Sequence, residues 1–349
     1  MASSTPLAQQ LQPIRRRSLT IRWLRYLAPL VLIGLAIHIL LPQLGDLEKS
    51  WSTIRQMPWW LVGLAVAAQM ASYAGSGYLL HALAAMLQQH LSVLRGVVIT
   101  LASGSIGLVA GGIVGNSAAT YRWTVASGVS GQAAGLCGTL PSLLNNVLLA
   151  LLALVGTIHL MIVHELTAFQ MIAFGTILVS LVALVAGGIW GVTHPAWLLK
   201  VVTRFDKRWA AALKRPYAPD ETRDRVNQVV NMWVVLRNGG WRGPALGAVL
   251  NTGFDMLTLY FLFIAAAHAV GPGVLLTGYG LPLLLGKVSF LPGGVGIVEG
   301  TMTAIYASTG VPLQVTAVVI LAYRLISFWI PTLLGFPAAF YLQHAFGKA

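Results

Sequence analysis

Two short stretches decide how this chain folds: "LGKVSFLPGGVGIVEGT" at residues 285–301 and "GSIGLVAGGIVGNSAAT" at residues 104–120. Each lies inside a long apolar region, 273–309 and 92–127, and each carries glycines where a helix would run on. Glycine inside a helix costs about 1 kcal/mol relative to alanine and proline about 3 kcal/mol. The sequence therefore predicts breaks at Gly111-Gly112 and at Pro292-Gly293-Gly294, with Gly296 following. A broken helix at membrane depth survives only where protein or a water-filled cavity surrounds it. The economical reading is two re-entrant hairpins, each entering and leaving on one side. A shift of 182 residues sets Gly104 on Gly286, Gly111-Gly112 on Gly293-Gly294, Gly128-Val129 on Gly310-Val311 and Gln132 on Gln314. An internal repeat follows from that register.

The rest of the chain supplies the membrane. Of 349 residues, 57% are hydrophobic and 9% charged, against about 25% charged in soluble domains. So few charges would not cover a soluble surface. A bilayer span needs about 20 apolar residues, and six stretches meet that test: 26–44, 59–87, 132–161, 169–192, 244–270 and 314–341. Arg15, Arg16, Arg17, Arg22 and Arg25 precede the first stretch as in a signal peptide. No clean small-residue cleavage site follows, so an uncleaved first span is expected. The fold class is an all-α polytopic membrane protein with six full transmembrane helices plus the two hairpins. It divides into a basic N-terminal segment (1–25), a first membrane half (26–192), a basic loop (193–243) and a second membrane half (244–349).

Charge fixes the expected orientation. There are 22 Lys+Arg against 9 Asp+Glu, net +13. With the N-terminus cytoplasmic, the outer loops 46–58 and 157–168 hold only Lys49 and Arg55 between them. The inner segment 193–243 holds ten basic residues, and Lys348 is also inside. That distribution obeys the positive-inside rule and predicts a bacterial-type inner membrane protein with both termini cytoplasmic. Three full spans separate the two breaks, so the second copy is inverted and the hairpin tips approach from opposite faces. Inverted repeats with discontinuous helices are a transporter plan whose site lies where the breaks meet.

Within 193–243, "HPAWLLKVVTRFDKRWAAALKR" places Trp197, Leu198, Val201, Val202, Phe205 and Trp209 among basic residues. A basic amphipathic helix resting on an anionic leaflet is expected. "PDETRDRVNQVVNMWVVLRNGGWRG" opens with a capping pattern and reads as a second helix. Nucleic acid is not an expected partner, since the basic residues sit where the membrane rule requires them.

Four charges fall inside the apolar regions: Asp255, Lys287, Glu299 and Arg324. A lone charge at the bilayer centre costs about 2.5–3.5 kcal/mol or more, so two cations and two anions at similar depth predict mutual pairing. Two readings stay open. In one the pairs only hold a hairpin against its neighbours. In the other Lys287 and Arg324 receive an anionic group, arginine suiting phosphate through bidentate donors, while Glu299 and Asp255 orient them or exchange partners. Arg122, ten residues after the first break, either meets a headgroup or snorkels to the interface. His38 reads as a satisfied polar residue, and Cys137 as a small packing residue. Asn145 and Asn146 follow Pro141 and either bond between helices or line a cavity beside the first hairpin. No phosphate-cradling, metalloprotease or nucleophile-elbow motif occurs. Neither an enzyme activity, a cofactor nor a metal is expected.

The segment "SFLPGGVGIVEGTMTAIYASTGV" (289–311), followed by "AVVILAYRLISFWIPTLLG" (317–335), resembles the lysylphosphatidylglycerol synthase transmembrane-region family. That family includes the flippase half of the multiple peptide resistance factor and stand-alone UPF0104 membrane proteins. Pro292, Gly293, Gly294, Gly296, Glu299, Gly310 and Arg324 carry the match, as P-G-G-x-G-x-x-E and R-x-x-x-[FW]. "GGIVGNSAATYRWTVASGVS" is similar to an earlier element through Gly115, Tyr121, Arg122 and Gly128. Relatives often carry a proline and an acidic residue around the first break, where this chain has Ala110, Asn116 and Ser117. The first hairpin is therefore expected to lack the charge chemistry of the second. With the chain ending at Ala349, the resemblance implies lipid translocation without the aminoacyl-transferase step.

The expected function is a flippase-like translocase moving a phospholipid or a lipid-linked headgroup, with anionic or zwitterionic lipids as partners. The charge balance leaves room for a cationic substituent beside Glu299 and Asp255. A secondary transporter of a small anion is the alternative, as is a non-catalytic membrane partner of an envelope-lipid or glycan enzyme. Composition does not fix the oligomeric state.

Overall fold

The computed structural model describes residues 55–110, 112–163, 168–212, 219–235, 240–288 and 292–346. The expected first span 26–44 with His38, the basic segment 1–25, and Gly111 lie outside the described residues. No strand occurs among the described residues. The helices are α1 (Trp59–Ala85), α2 (Val93–Val109), α3 (Ile113–Ala126), α4 (Gly131–Val163), α5 (Ala168–Thr193), α6 (Pro195–Ala212), α7 (Pro219–Val235), α8 (Arg242–Ala265), α9 (Pro272–Val288), α10 (Ile297–Ser308), α11 (Leu313–Arg324) and α12 (Ile330–Phe346). Among the described residues, three helical runs are long and apolar enough to cross a bilayer: Gly131–Val163, Arg242–Ala265 and Leu313–Ala345. The last joins α11 to α12 through one wide π turn, Leu325–Trp329. α1 and α5 have 27 and 26 residues. The two helices expected in the basic loop form as α6 and α7, joined by a 2.7 Å hydrogen bond from the Thr222 hydroxyl to Asp206.

Both breaks form. α2 starts on Ser92, whose hydroxyl accepts the Arg95 N–H, and stops at Ala110. Gly112 then takes φ +66°, ψ −126°, a conformation open only to glycine. The second break is a short turn over Pro292–Gly294 with Gly293 at φ +66°. α2 has 17 residues, α3 14, α9 17 and α10 12. At 1.5 Å per residue each falls short of the roughly 30 Å hydrocarbon core.

The run α1–α4 corresponds to the run α8–α12, in a register that differs from a single 182-residue shift. α2 maps onto α9 end to end with a shift of 179 (93+179=272, 109+179=288). After the breaks the shift is 182: α3 and α10 end at Ala126 and Ser308, and α4 and α11 begin at Gly131 and Leu313. Gly112 and Gly294 share φ +66°, and Gly128 and Gly310 have φ +87° and +92°. The second break is thus three residues longer. Consequently the counterpart of Gly286 is Gly107, and the expected match to Gly104 is corrected. A Cβ on Gly107 would press on Gly112 and Asn116, and one on Gly286 on their counterparts Gly294 and Val298.

Packing between the runs follows the same correspondence. α1 and α8 lie antiparallel, with contacts of Ala65 to Thr258, Gly75 to Asn251, Leu79 to Gly247 and Ala82 to Gly243. Small residues permit this approach: a Cβ on Gly75 would sit 2.6 Å from the Asn251 nitrogen. Ser72 and Asn251 are counterparts (72+179=251) and bond each other, Ser72 Oγ to the Asn251 carbonyl at 2.9 Å and Asn251 Nδ2 to the Ser72 carbonyl at 3.1 Å. The first half-helix of each hairpin, α2 and α9, also packs on the long helix of the other run. A Cβ on Gly335 of α12 would strike Leu101 of α2, and one on Gly280 of α9 would lie 2.8 Å from the Ala153 nitrogen of α4.

Candidate functional site

The second run builds a closed polar cluster from four helices, α8 to α11. Arg324 ends α11 and Glu299 sits in the first turn of α10; Nε and Oε1 lie 2.5 Å apart, with side chains 5% and 9% exposed. Glu299 Oε2 accepts the Gly296 N–H at 2.6 Å, so the same carboxylate caps α10. Arg324 also donates from Nη2 to the Gly293 carbonyl at 3.1 Å and lies 4.2 Å over the Phe328 ring. The arginine therefore ties the break, the hairpin and the π turn together. A π turn directly after a buried arginine is where such irregularities tend to serve function. Asp255, midway along α8, accepts hydroxyls from Tyr279 and Tyr323 at 2.7 Å each.

Lys287 stands apart from this cluster. Its Nζ donates to Asn146 Oδ1 at 2.6 Å. Asn146 is the sixteenth of the 33 residues of α4, which sets the lysine level with the middle of that helix. Asn145 Nδ2 donates to Asn251 Oδ1 at 3.2 Å, joining this level to the crossing of α1 and α8. The two asparagines thus fulfil both expectations, bonding between helices and lining a cavity.

That cavity is the first run's counterpart of the charged cluster. It measures about 210 Å³ and is lined by Ser76, Thr100, Ser103, Asn116, Ser142 and Asn146 among others, with Lys287 the one charge among its described lining residues. The correspondence explains why space is open here and filled opposite. Ser76 stands where the second run has Asp255, Thr100 where it has Tyr279, Thr120 where it has Met302, Pro141 where it has Tyr323, and Ser142 where it has Arg324. Tyr279, Met302 and Tyr323 are fully buried. Small hydroxyl residues leave the volume that tyrosines, methionine and arginine occupy in the other half. A second groove of about 980 Å³ shares Ile113 and Gly138 with this cavity and is lined mainly by apolar residues of α3 and α4, including Val114, Tyr121 and Leu136, with Asn231 of α7. The two breaks meet nearby, where a Cβ on Gly293 would lie 3.1 Å from Leu108 Cδ1.

Measured against expectation, the four charges do not all pair with each other. Only Arg324 and Glu299 form an ion pair; Asp255 is held by tyrosines and Lys287 by an asparagine. Lys287 and Arg324 do not face one ligand together, because Arg324 is 4% exposed and its donors are engaged within its own run. The carboxylates are equally engaged, so neither awaits a cationic substituent. Arg122 is exposed on α3 and is absent from the described lining of both cavities. Gly112, Gly293, Gly294 and Gly296 all take positive φ. Ser76, Thr100, Ser103 and Ser142 escaped the sequence reading, since small hydroxyl residues in an apolar helix give no composition signal. Comparing the two runs position by position would have found them.

Long apolar helices interrupted at glycines, packed through small residues around buried polar groups, define a helical integral membrane protein. The chain belongs to the family described as the lysylphosphatidylglycerol synthase TM region, whose model matches residues 30–335. It is 26% identical over 174 residues to a UPF0104 membrane protein of Methanocaldococcus jannaschii, covering 49% of this chain and 51% of that protein. It is 36% identical over 83 residues to a UPF0104 membrane protein of Pyrococcus horikoshii, and 33% over 84 residues to one of Methanothermobacter thermautotrophicus. Those two matches cover 24% of this chain and 25% of each relative. The matched stretches thus span about half of the first relative's length and about a quarter of the other two.

Proposed function

We propose that this chain is a lipid translocase of an inner membrane, carrying the headgroup through the polar cavity beside Lys287 while the acyl chains stay in the adjoining groove. The observation that carries the reading is the shared wall: a polar cavity at mid-helix depth, with one cation, joined at Ile113 and Gly138 to a larger apolar groove. An amphiphile needs both environments at once. A small soluble anion would have no use for the groove, which favours the lipid reading over an anion transporter.

In this account the chain crosses the bilayer six times, with α2–α3 and α9–α10 as opposed re-entrant hairpins and both termini cytoplasmic. The antiparallel packing of α1 on its counterpart α8 supports reading the two runs as an inverted repeat. The basic loop helices α6 and α7 rest on the cytoplasmic leaflet, Trp197, Val201 and Phe205 being exposed. Arg324 and Glu299 act as a tether that holds the second hairpin shut while the first stays open; no chemistry is performed on the lipid. Reconstitution into liposomes holding a tail-labelled fluorescent lipid tests the reading. With the protein, dithionite added outside reaches the inner-leaflet label; if that label stays protected, the proposal fails.

A further inference from the structure

We infer that the cavity beside Lys287 selects an anionic, hydroxyl-bearing headgroup of the glycerol phosphate kind and discriminates against headgroups carrying an amine, the aminoacylated lipid included. The inference rests on the translocase reading but concerns which headgroup is taken.

Charge comes first. Lys287 is the one charged residue among the described residues lining the cavity. An ammonium group drawn into such a space needs a carboxylate or dense acceptors to replace its water. The carboxylates at this level are already engaged. Glu299 accepts from Arg324 and the Gly296 N–H, and Asp255 accepts from Tyr279 and Tyr323. Where the second run has Asp255 and Glu299, the first has Ser76 and Ser117. A phosphate, by contrast, meets an accessible ammonium whose present partner is a neutral amide oxygen. Exchanging that oxygen for an anionic one gives a stronger, charge-assisted bond.

Hydrogen-bonding capacity comes second. Asn145 lines the cavity and its Oδ1 is buried without a partner. An orphaned acceptor calls for a donor, which a ligand hydroxyl supplies without bringing a second cation beside Lys287. The Ser76 and Ser142 hydroxyls can both donate and accept, matching a polyol. Size comes third: the cavity offers about 210 Å³, many times the roughly 10–15 Å³ that one water needs by the same measure. A phosphate with a short polyol fits.

The test uses the full chain in phosphatidylcholine vesicles with tail-labelled phosphatidylglycerol, phosphatidylethanolamine or lysyl-phosphatidylglycerol. Phosphatidylglycerol should cross faster than either amine lipid by about tenfold or more, the factor one charge-assisted hydrogen bond corresponds to. Lys287→Gln should erase that preference, Lys287→Arg should keep it, and Ser76→Asp should shift it toward the amine lipids. Lysyl-phosphatidylglycerol crossing as fast as phosphatidylglycerol, or a preference that survives Lys287→Gln, overturns the inference. Native mass spectrometry of the purified protein separates the two levels. Lys287-dependent retention of phosphatidylglycerol over lysyl-phosphatidylglycerol without transit refutes the translocase reading alone. Equal retention of both refutes the headgroup inference. Adding sn-glycerol 1-phosphate distinguishes the ligand's source: the lipid should stay bound, and displacement by the free ester at matched concentration would assign the site to a soluble ester and overturn the lipid assignment.

Discussion

Removing one partner of the Arg324–Glu299 pair should cost far more than removing both. With 2.5 Å between Nε and Oε1 and side chains 5% and 9% exposed, neither ion has water to fall back on. Breaking a buried pair costs about 3–5 kcal/mol, whereas replacing both ions with neutral groups is often close to neutral. Arg324→Met leaves the Glu299 carboxylate with the Gly296 N–H alone, so it should lie in that range. Glu299→Gln should cost less than that, because the single amide oxygen keeps one of the carboxylate's two bonds, to Arg324 or to the Gly296 N–H, and leaves no buried anion. It also leaves Arg324 its Gly293 carbonyl and Phe328 ring. Once Arg324 is methionine, Glu299→Gln removes an unpaired buried charge and should restore stability. The cycle should therefore show coupling of about 2 kcal/mol or more, well beyond the 0.3–0.5 kcal/mol (approximately) within which independent sites add. Helicity followed through reversible unfolding in mixed micelles of a mild detergent and dodecyl sulfate measures all four proteins. Additive single effects would refute the pairing as the element that holds the second hairpin.

Two further perturbations test the packing. Asp255→Asn keeps an acceptor for Tyr279 and Tyr323, whereas Asp255→Leu takes away the carboxylate to which the Tyr323 hydroxyl donates and one of the two acceptors of Tyr279. The leucine variant should lose about 1–3 kcal/mol more than the asparagine variant in the same unfolding assay, and equal losses would contradict the network. Gly335→Ala drives a Cβ into Ser105 and the Leu101 backbone and should cost about 1–3 kcal/mol. Gly175→Ala, with open space around it, should gain a few tenths to about 1 kcal/mol from helix propensity.

How much of this could be read from the residues varies with the kind of signal. Backbone breaks were legible because glycine and proline act locally: Gly112 and Pro292–Gly294 interrupt their helices where the sequence places the breaks. The loop helices were legible from the basic amphipathic pattern and the cap. The register of the two runs was not. Three extra residues in the second break move it from 179 to 182, and abundant glycines let Gly104 stand in for Gly107. The partners of Asp255 were hidden as well, since Tyr279 and Tyr323 lie 24 and 68 residues away and tyrosine in an apolar helix looks like ordinary packing. Charge drew the eye to the second half, but the open space lies in the first. It exists because Ser76, Thr100 and Ser142 are small, and smallness leaves no mark in composition.

Thr100→Tyr places in the cavity the side chain that fills the corresponding position of the second run. Transit of tail-labelled phosphatidylglycerol by this variant in liposomes, measured beside wild type at equal reconstituted helicity, tests the route most directly. Transit falling to the level of protein-free vesicles is the predicted result; undiminished transit through a filled cavity would contradict the account.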